Sequence, residues 1–161
     1  NFNIEEKDLT IADRAYGTIR SIEHCLNNGG EFIIRIKNKA FNLYNQNREK
    51  ILLSDWLRTI SEKAEELRVY IKDSNKNLIP LRICAVKKTK EEIAIEEKRL
   101  KRLESKKQTT YSEDTKFTHE FMFVITSLPT SVPAEKVLEY YRLRWQVELV
   151  FKRYKSLHPL L

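Results

Sequence analysis

Cysteine, histidine and long apolar runs are scarce in this sequence, and each scarcity argues against a class of protein. The two cysteines, Cys25 and Cys84, form no Cys-x-x-Cys pair and stand among apolar neighbours, so we expect small buried side chains in a reducing compartment. The three histidines are scattered, which argues against a zinc site. No run of about 18 apolar residues and no signal-peptide pattern occur, so we expect a soluble, cytoplasmic protein without a membrane partner.

Positive charge, in contrast, is in excess. The 161 residues include 30 Lys and Arg against 23 Asp and Glu, which gives a formal net charge of +7. Such an excess favours a polyanionic partner, most simply nucleic acid, because phosphate neutralisation releases counterions. Hydrophobic residues make up 41% of the chain and aromatic residues 10%, so we expect a packed core of one ordinary domain, or of a small domain with an insertion.

The beginning of the chain predicts a strand–helix–strand unit. Residues 8–12 (DLTIA) form a short extended run, and residues 18–28 place apolar side chains at helical spacing before a pair of glycines ends the helix. Residues 31–37 (EFIIRIK) are rich in β-branched and aromatic side chains, as in a buried strand. Short connections of this kind usually join parallel strands in an α/β sheet.

After residue 37 the alternation of strand and helix is lost, and it returns at residue 118. Residues 67–72 and 78–87 look like strands around a turn, and Pro80 suggests an edge position for the second of them. The intervening segment, 38–117, is therefore expected to be a separately packed α+β subdomain with mostly antiparallel strands. Residues 118–126 then return to a dense apolar strand, followed by a long helix from about 134 to 156.

Residues 89–107 predict a highly charged helix that has two interpretations. The simpler one is a solvated helix stabilised by ion pairs between residues four apart. The other is a positively charged surface that contacts a DNA backbone, since Lys and Arg cluster toward the end of the helix at Lys98, Arg99, Lys101, Arg102, Lys106 and Lys107. The sequence alone leaves both open.

The long helix carries a polar strip between two apolar faces. At about 100° per residue, its members fall within roughly 60° of one another: Tyr141, Arg144, Glu148 and Lys155. A plain pair between Arg144 and Glu148, four residues apart, would satisfy the carboxylate. Tyr141 and Lys155 weaken that interpretation, because a phenol needs no ionic partner and the lysine extends the strip by two turns.

Asp13 is the second candidate site residue. It ends the first apolar strand, where α/β sheets present ligand-binding groups at their carboxyl edge. A carboxylate at that position also suits the N-cap of the following segment, and both interpretations stay open.

These residues carry a resemblance to a known family. The spacing Y-x2-R-x3-E-x6-K is met without a gap in the strip of the long helix, and it resembles the signature of the YREK family of DDE insertion-sequence transposases. The segment ADRAYG, followed by an amphipathic helix and EFIIRIK, resembles the surroundings of that family's second catalytic aspartate. The stretch FVITSLP…VLEYYRLRWQVELVFKRYKSL is similar to the family's last strand and catalytic helix almost throughout.

The resemblance implies an α/β fold of ribonuclease-H-like type, with residues 1–37 and 118–161 as a partial catalytic core and 38–117 as an α+β insertion subdomain. Asp13 and Glu148 would then be catalytic and would be two of three carboxylates that hold Mg²⁺ or Mn²⁺, hard cations that prefer oxygen ligands. Tyr141, Arg144 and Lys155 would bind DNA phosphates. The implied function is cleavage and joining of transposon ends and target DNA, by a homodimer in the synaptic complex.

One feature of the family is not found. Its first aspartate ends the first strand of the fold, well upstream of the second, whereas only 12 residues precede Asp13 here and Asp8 belongs to the same strand. We therefore expect a fragment of a larger transposase, inactive by itself. Two alternatives remain from the residues alone: a non-catalytic nucleic-acid-binding α+β module, which explains the charge but not Asp13 and Glu148, and a structural interaction domain, which explains neither.

Overall fold

The computed structural model describes residues 3–157, and along the last helix it describes side chains as far as residue 144 and then at 146, 147, 149 and 153. Within this part, one sheet contains seven strands: β1 (Leu9–Ala12), β2 (Glu31–Arg35), β3 (Leu43–Tyr44), β4 (Lys50–Ile51), β5 (Glu65–Lys72), β6 (Leu78–Lys87) and β7 (Phe121–Thr126). The helices are α1 (Ile19–Asn27), α2 (Leu53–Leu57), α3 (Lys90–Lys107), α4 (Glu113–Thr118) and α5 (Ala134–Leu157). The strands lie side by side in the order β1-β2-β7-β6-β5-β3-β4.

The predicted strand–helix–strand unit is confirmed. β1 and β2 are parallel, and Ile11 lies opposite Ile33. The turn between α1 and β2 needs its two glycines: Gly29 has a φ of +73°, and a Cβ on Gly30 would lie 2.7 Å from the side chain of Ile4. This tight turn brings the start of β2 against the start of β1 and thereby fixes where β1 ends.

The core has two layers, one on each face of the sheet, because successive side chains of a strand point in opposite directions. Phe32 and Ile34 join a cluster with Ile22 of α1, whereas Ile33 between them joins Val137 and Tyr141 of α5 on the other face. α5 therefore lies across the sheet with one face of its first two turns buried. Among the helices of residues 3–157, none is long and apolar enough to cross a membrane.

The strands of residues 38–117 join the same sheet. β6 pairs antiparallel with β5 and with β7, and β3 pairs antiparallel with β4 and β5, so the antiparallel direction predicted for this segment is confirmed. The separate packing that we expected is not observed, because β6 hydrogen-bonds along β7 and the apolar side chains of β5 and β6 share the core cluster of β2. The division of the chain into a core, 1–37 and 118–161, and an insertion stays a prediction.

Two details of this segment differ from the sequence-based expectations. β6 is an interior strand, so the edge position suggested by Pro80 is wrong for the strand as a whole. β7 pairs only with residues 82–87 of β6, and Pro80 lies beyond that ladder, where its missing N–H is not required by β7. Residues 108–116, to which no helix or strand was assigned from the sequence, contain the start of α4, which is capped by the side chain of Ser112.

Candidate active site

Asp13 follows the last residue of β1, at the carboxyl end of the strand. Its Oδ1 accepts a hydrogen bond of 2.7 Å from the backbone N–H of Arg14, and it caps the short 3-10 turn Arg14–Tyr16. The capping interpretation is therefore confirmed. It leaves much of the carboxylate available, since 47% of the side chain is exposed. An aspartate that caps a turn with one oxygen can present the other to a ligand.

α5 brings two residues of the polar strip to this carboxylate. Tyr141 is 1% exposed and packs against the sheet, and its hydroxyl donates to Asp13 Oδ1 across 3.4 Å. Arg144 lies one turn later, with a guanidinium nitrogen 3.5 Å from Asp13 Oδ2. The guanidinium carbon also lies 5.6 Å from the centre of the Tyr141 ring, within range of a cation–π contact. Two segments that are 128 positions apart in the sequence thus meet at Asp13.

The charges around Asp13 keep it ionised. Burial by itself would raise the pKa of the carboxyl, but the hydrogen bond from the Arg14 N–H and the positive charges of Arg144, Arg35 and Arg14 lower the pKa below its ordinary value. A carboxylate with a lowered pKa is anionic at neutral pH, as a ligand of a divalent cation has to be. Among the described residues there is no group of three or more His, Cys, Asp or Glu that could hold a metal ion.

Glu148 and Lys155 lie further along the same helix. α5 continues to Leu157, so the backbone places Glu148 seven residues after Tyr141 on the same face, about 10 Å along the helix axis. Lys155 follows after roughly another 10 Å. Both side chains lie outside the described part, and the approach of the Glu148 carboxylate to Asp13 stays a prediction.

A groove beside Asp13 contains residues whose approach to Asp13 was not predicted from the sequence. It has a volume of about 600 Å³ and runs from Asp13 and Tyr141 to α3. Its lining includes five cations: Arg14, Arg35, Lys88, Arg99 and Arg142. Two of them could have been noticed, since Arg14 follows the candidate aspartate and Arg35 follows the buried apolar run of residues 32–34. Arg99 belongs to the basic cluster noted in the charged helix, but its position beside Asp13 could not be predicted, because only the tertiary fold brings it and Lys88 there.

The segment that leads into α5 is held by a buried arginine of β6. Arg82 is buried and donates to the carbonyl oxygens of Leu128 and Val132, each at 2.9 Å, and to that of Pro129. The carboxylate of Glu66 on β5 lies 2.5 Å from the same guanidinium. These bonds fix the loop between β7 and α5 against the sheet, and they thereby set the position at which α5 starts toward Asp13.

Comparisons with known proteins give a consistent result. The family model described as Transposase DDE domain matches residues 1–159. The chain is 27% identical over 174 residues to the transposase for insertion sequence element IS231C of Bacillus thuringiensis subsp. berliner, covering 95% of this chain and 35% of that protein. It is 31% identical over 157 residues to the transposase for insertion sequence element IS421 of Escherichia coli, covering 93% of this chain and 42% of that protein.

A shorter stretch is more similar to a third protein. The chain is 44% identical over 68 residues to the transposase for insertion sequence element IS231F of Bacillus thuringiensis subsp. israelensis, covering 40% of this chain and 14% of that protein. The chain thus spans less than half the length of each of these relatives.

Proposed function

The chain belongs to the DDE transposase family, and from that membership we propose that it carries two of the three carboxylates of a centre that cleaves and joins DNA. The observation that supports this most directly is the meeting of Asp13 with Tyr141 and Arg144. It joins the segment ADRAYG to the helix that contains the YREK spacing, as a shared active site requires. We propose on the same ground that the chain is a YREK-signature member of the family.

Asp13 and Glu148 are proposed as the ligands of Mg²⁺ or Mn²⁺, which when bound would activate the attacking oxygen and stabilise the leaving oxygen at phosphorus. The environment of Asp13 fits this role, because its carboxylate is anionic and half-exposed and, among the contacts of the described residues, is held by one short hydrogen bond. Arg144 and Tyr141 orient that carboxylate in the free protein. With DNA bound, their proposed role, together with Lys155, is to hold backbone phosphates, since guanidinium and hydroxyl groups both donate to phosphate oxygens.

The proposed partners are transposon ends and target DNA, acted on by a homodimer. In the proposed arrangement residues 1–37 and 118–161 form the ribonuclease-H-like part, and 38–117 is an insertion that extends the same sheet. We propose that the third carboxylate comes from outside this chain, and that the chain is inactive by itself and acts, in the cytoplasm, as part of a longer transposase. A non-catalytic DNA-binding module would explain the net charge but not a half-exposed aspartate held against the YREK helix.

The test uses the longer transposase that contains this chain. Glu148→Gln keeps the size of the side chain but replaces an anionic oxygen with a neutral amide, so Mg²⁺-dependent nicking of a transposon-end duplex should be abolished while thermal stability and DNA affinity are kept. Glu139→Gln is the matched control, because Glu139 is an exposed glutamate of the same helix, paired only with Lys136 among the contacts described. Arg144→Ala should instead weaken DNA binding.

Two outcomes would contradict the assignment. If Glu148→Gln nicks at near the parental rate, Glu148 is not a metal ligand. If Glu148→Gln and Arg144→Ala lose stability equally and show no special loss of nicking, the two residues form a plain structural ion pair.

A further inference from the structure

Glu96 of α3 lies at the centre of the positive charge in the groove beside Asp13. Both of its oxygens are engaged by Arg99: Nε of the guanidinium donates to Oε2 at 3.1 Å, and a terminal nitrogen donates to Oε1. His119 Nδ1 lies 2.9 Å from Oε1. The Glu96 side chain is 16% exposed, and it lines both this groove and a second cavity of about 500 Å³ on the other side of α3.

His119 holds Glu96 from the side away from Asp13. Burial and the charges of Arg14 and Arg99 lower the pKa of His119 below its ordinary value against the raising effect of Glu96, so the ring is neutral at pH 7 and donates its Nδ1 proton to Glu96. The His119 carbonyl oxygen in turn accepts a hydrogen bond of 2.7 Å from Lys88 Nζ. Glu96 is therefore fixed in place by groups of three elements: α3, the end of α4 and the residue that follows β6.

The cations around Glu96 are more numerous than its charge can neutralise. Burial lowers the pKa of Arg14, and the charges of Arg35 and Arg99 lower it further against the opposing effect of Glu96. Burial also lowers the pKa of Lys88; Glu96 opposes that shift, while Arg35, Arg14 and Arg99 add to it. The Nε of Arg14 is buried without a hydrogen-bond partner in the described structure. The groove lining also includes the carboxylates of Asp13 and Glu92, so three acidic groups face five cations and positive charge remains in excess.

We propose that this groove takes a phosphate of the bound DNA strand, and that Glu96 is a built-in counter-ion that competes with that phosphate for Arg14, Lys88 and Arg99. The proposal rests on the proposed function, and it assigns a role to α3, which belongs to the segment between the two halves of the core. The groove is lined by Asp13 and Tyr141 at one end, so a strand that reaches Asp13 can continue along it. Phosphate and carboxylate are recognised by the same donors, which is why one can stand in for the other.

A permanent carboxylate among these cations keeps them ordered without DNA and lowers their affinity for it. Removing the carboxylate charge should therefore strengthen DNA binding, contrary to the usual effect of breaking an ion pair. The net charge of the protein would rise by one, so a control has to change the net charge equally at another place. Glu97 is suited to this, because it is the next residue of the same helix, is exposed and does not line the groove beside Asp13.

The experiment measures fluorescence anisotropy of a labelled DNA duplex with the longer transposase over a series of salt concentrations. Glu96→Gln should tighten DNA binding roughly tenfold. It should also steepen the slope of log affinity against log salt concentration by the amount expected for about one more phosphate contact. Glu97→Gln should change the affinity less than about twofold. Arg99→Gln should weaken binding roughly tenfold and reduce the salt dependence. Inorganic phosphate, at matched ionic strength, should compete only weakly.

The outcomes separate this proposal from the function it rests on. Equal affinities of Glu96→Gln and Glu97→Gln, with both folded by thermal melting, would overturn the groove assignment while the parental protein still binds and nicks DNA. If Glu96→Gln does not fold, unchanged DNA affinity of Arg99→Gln would overturn it. Competition by inorganic phosphate as strong as by unlabelled duplex would make this a free-anion site instead. Failure of the parental transposase to bind DNA would contradict the proposed function itself.

Discussion

Asp13 and Glu96 are two carboxylates beside the same groove, and they differ in how much of their bonding capacity is used. Glu96 accepts from Arg99 and His119 and is 16% exposed, whereas Asp13 has one short bond, to a backbone N–H, and is 47% exposed. The contacts of Asp13 with Tyr141 and Arg144 are long, at 3.4 and 3.5 Å. Glu96, whose two oxygens are both hydrogen-bonded, can act as an internal counter-ion. Asp13, whose side-chain contacts are long, can exchange them for a metal ion.

The largest expected effect is on catalysis, at Asp13. In the longer transposase, Asp13→Asn should lower Mg²⁺-dependent nicking by roughly a thousandfold or more, because the amide offers no anionic oxygen to a divalent cation. Thermal stability should change little, since the amide oxygen still accepts from the Arg14 N–H. Nicking of a transposon-end duplex, measured at saturating DNA, checks the first expectation, and a thermal melt checks the second.

Asp55→Asn is the control, because Asp55 is exposed in the first turn of α2, away from the groove. It should nick DNA at the parental rate. If Asp13→Asn did the same, Asp13 would be a turn cap alone, and the contrast with Glu96 would lose its functional meaning.

The next effect is on stability, at Glu96. Burial alone would raise the pKa of Glu96, but hydrogen bonds from Arg99 and His119 and the charge of Lys88 lower it from 4.5 to about 2. A depressed carboxylate pKa stabilises the fold above pH 4.5, and this stabilisation is lost as the pH falls toward about 2. The shift corresponds to at most about 3 kcal/mol. His119 acts in the same direction, because its lowered pKa means that acid must charge a buried ring.

Urea unfolding of this chain at neutral pH and at about pH 2 measures how much the charge of Glu96 contributes to the free energy of unfolding. At neutral pH Glu96→Gln should be less stable than the parental protein, and in strong acid the two should be nearly equal, since Glu96 is then becoming protonated in both native and unfolded chains. Glu97→Gln should have nearly the same free energy of unfolding as the parental protein at both pH values. A stability difference between parental protein and Glu96→Gln that is independent of pH would mean that the loss comes from packing rather than from the charge of Glu96.

The same contrast explains what could be predicted from the sequence. The surroundings of Asp13 were predictable because β1, α1 and β2 follow one another and their apolar periodicity is local, and because the strip of α5 is one helical face. The surroundings of Glu96 were not, since His119 is 23 positions away and meets Glu96 only through tertiary packing. The helix that His119 follows, α4, has only six residues and little apolar character, so no periodicity revealed it. The joining of 38–117 to the sheet was missed for a related reason: strand pairing with β7 leaves no mark in a single sequence.

The smallest expected effect is at Tyr141, and it distinguishes two roles for the hydroxyl of that residue: holding a DNA phosphate, or orienting Asp13. Tyr141→Phe removes a hydroxyl whose hydrogen bond to Asp13 is long, at 3.4 Å, while the buried ring keeps its packing against Val137 and Ile33. The free energy of unfolding should fall by about 0.5 kcal/mol or less, because water can replace the hydroxyl at the half-exposed carboxylate.

If the hydroxyl also holds a DNA phosphate, as proposed, the Kd for a transposon-end duplex should rise roughly threefold with nicking at saturating DNA nearly unchanged. If it acts instead by orienting Asp13, nicking at saturating DNA should fall and the Kd should stay constant. Titrating duplex in both binding and nicking assays with parental protein and Tyr141→Phe decides between them, and a change in neither would remove Tyr141 from the site.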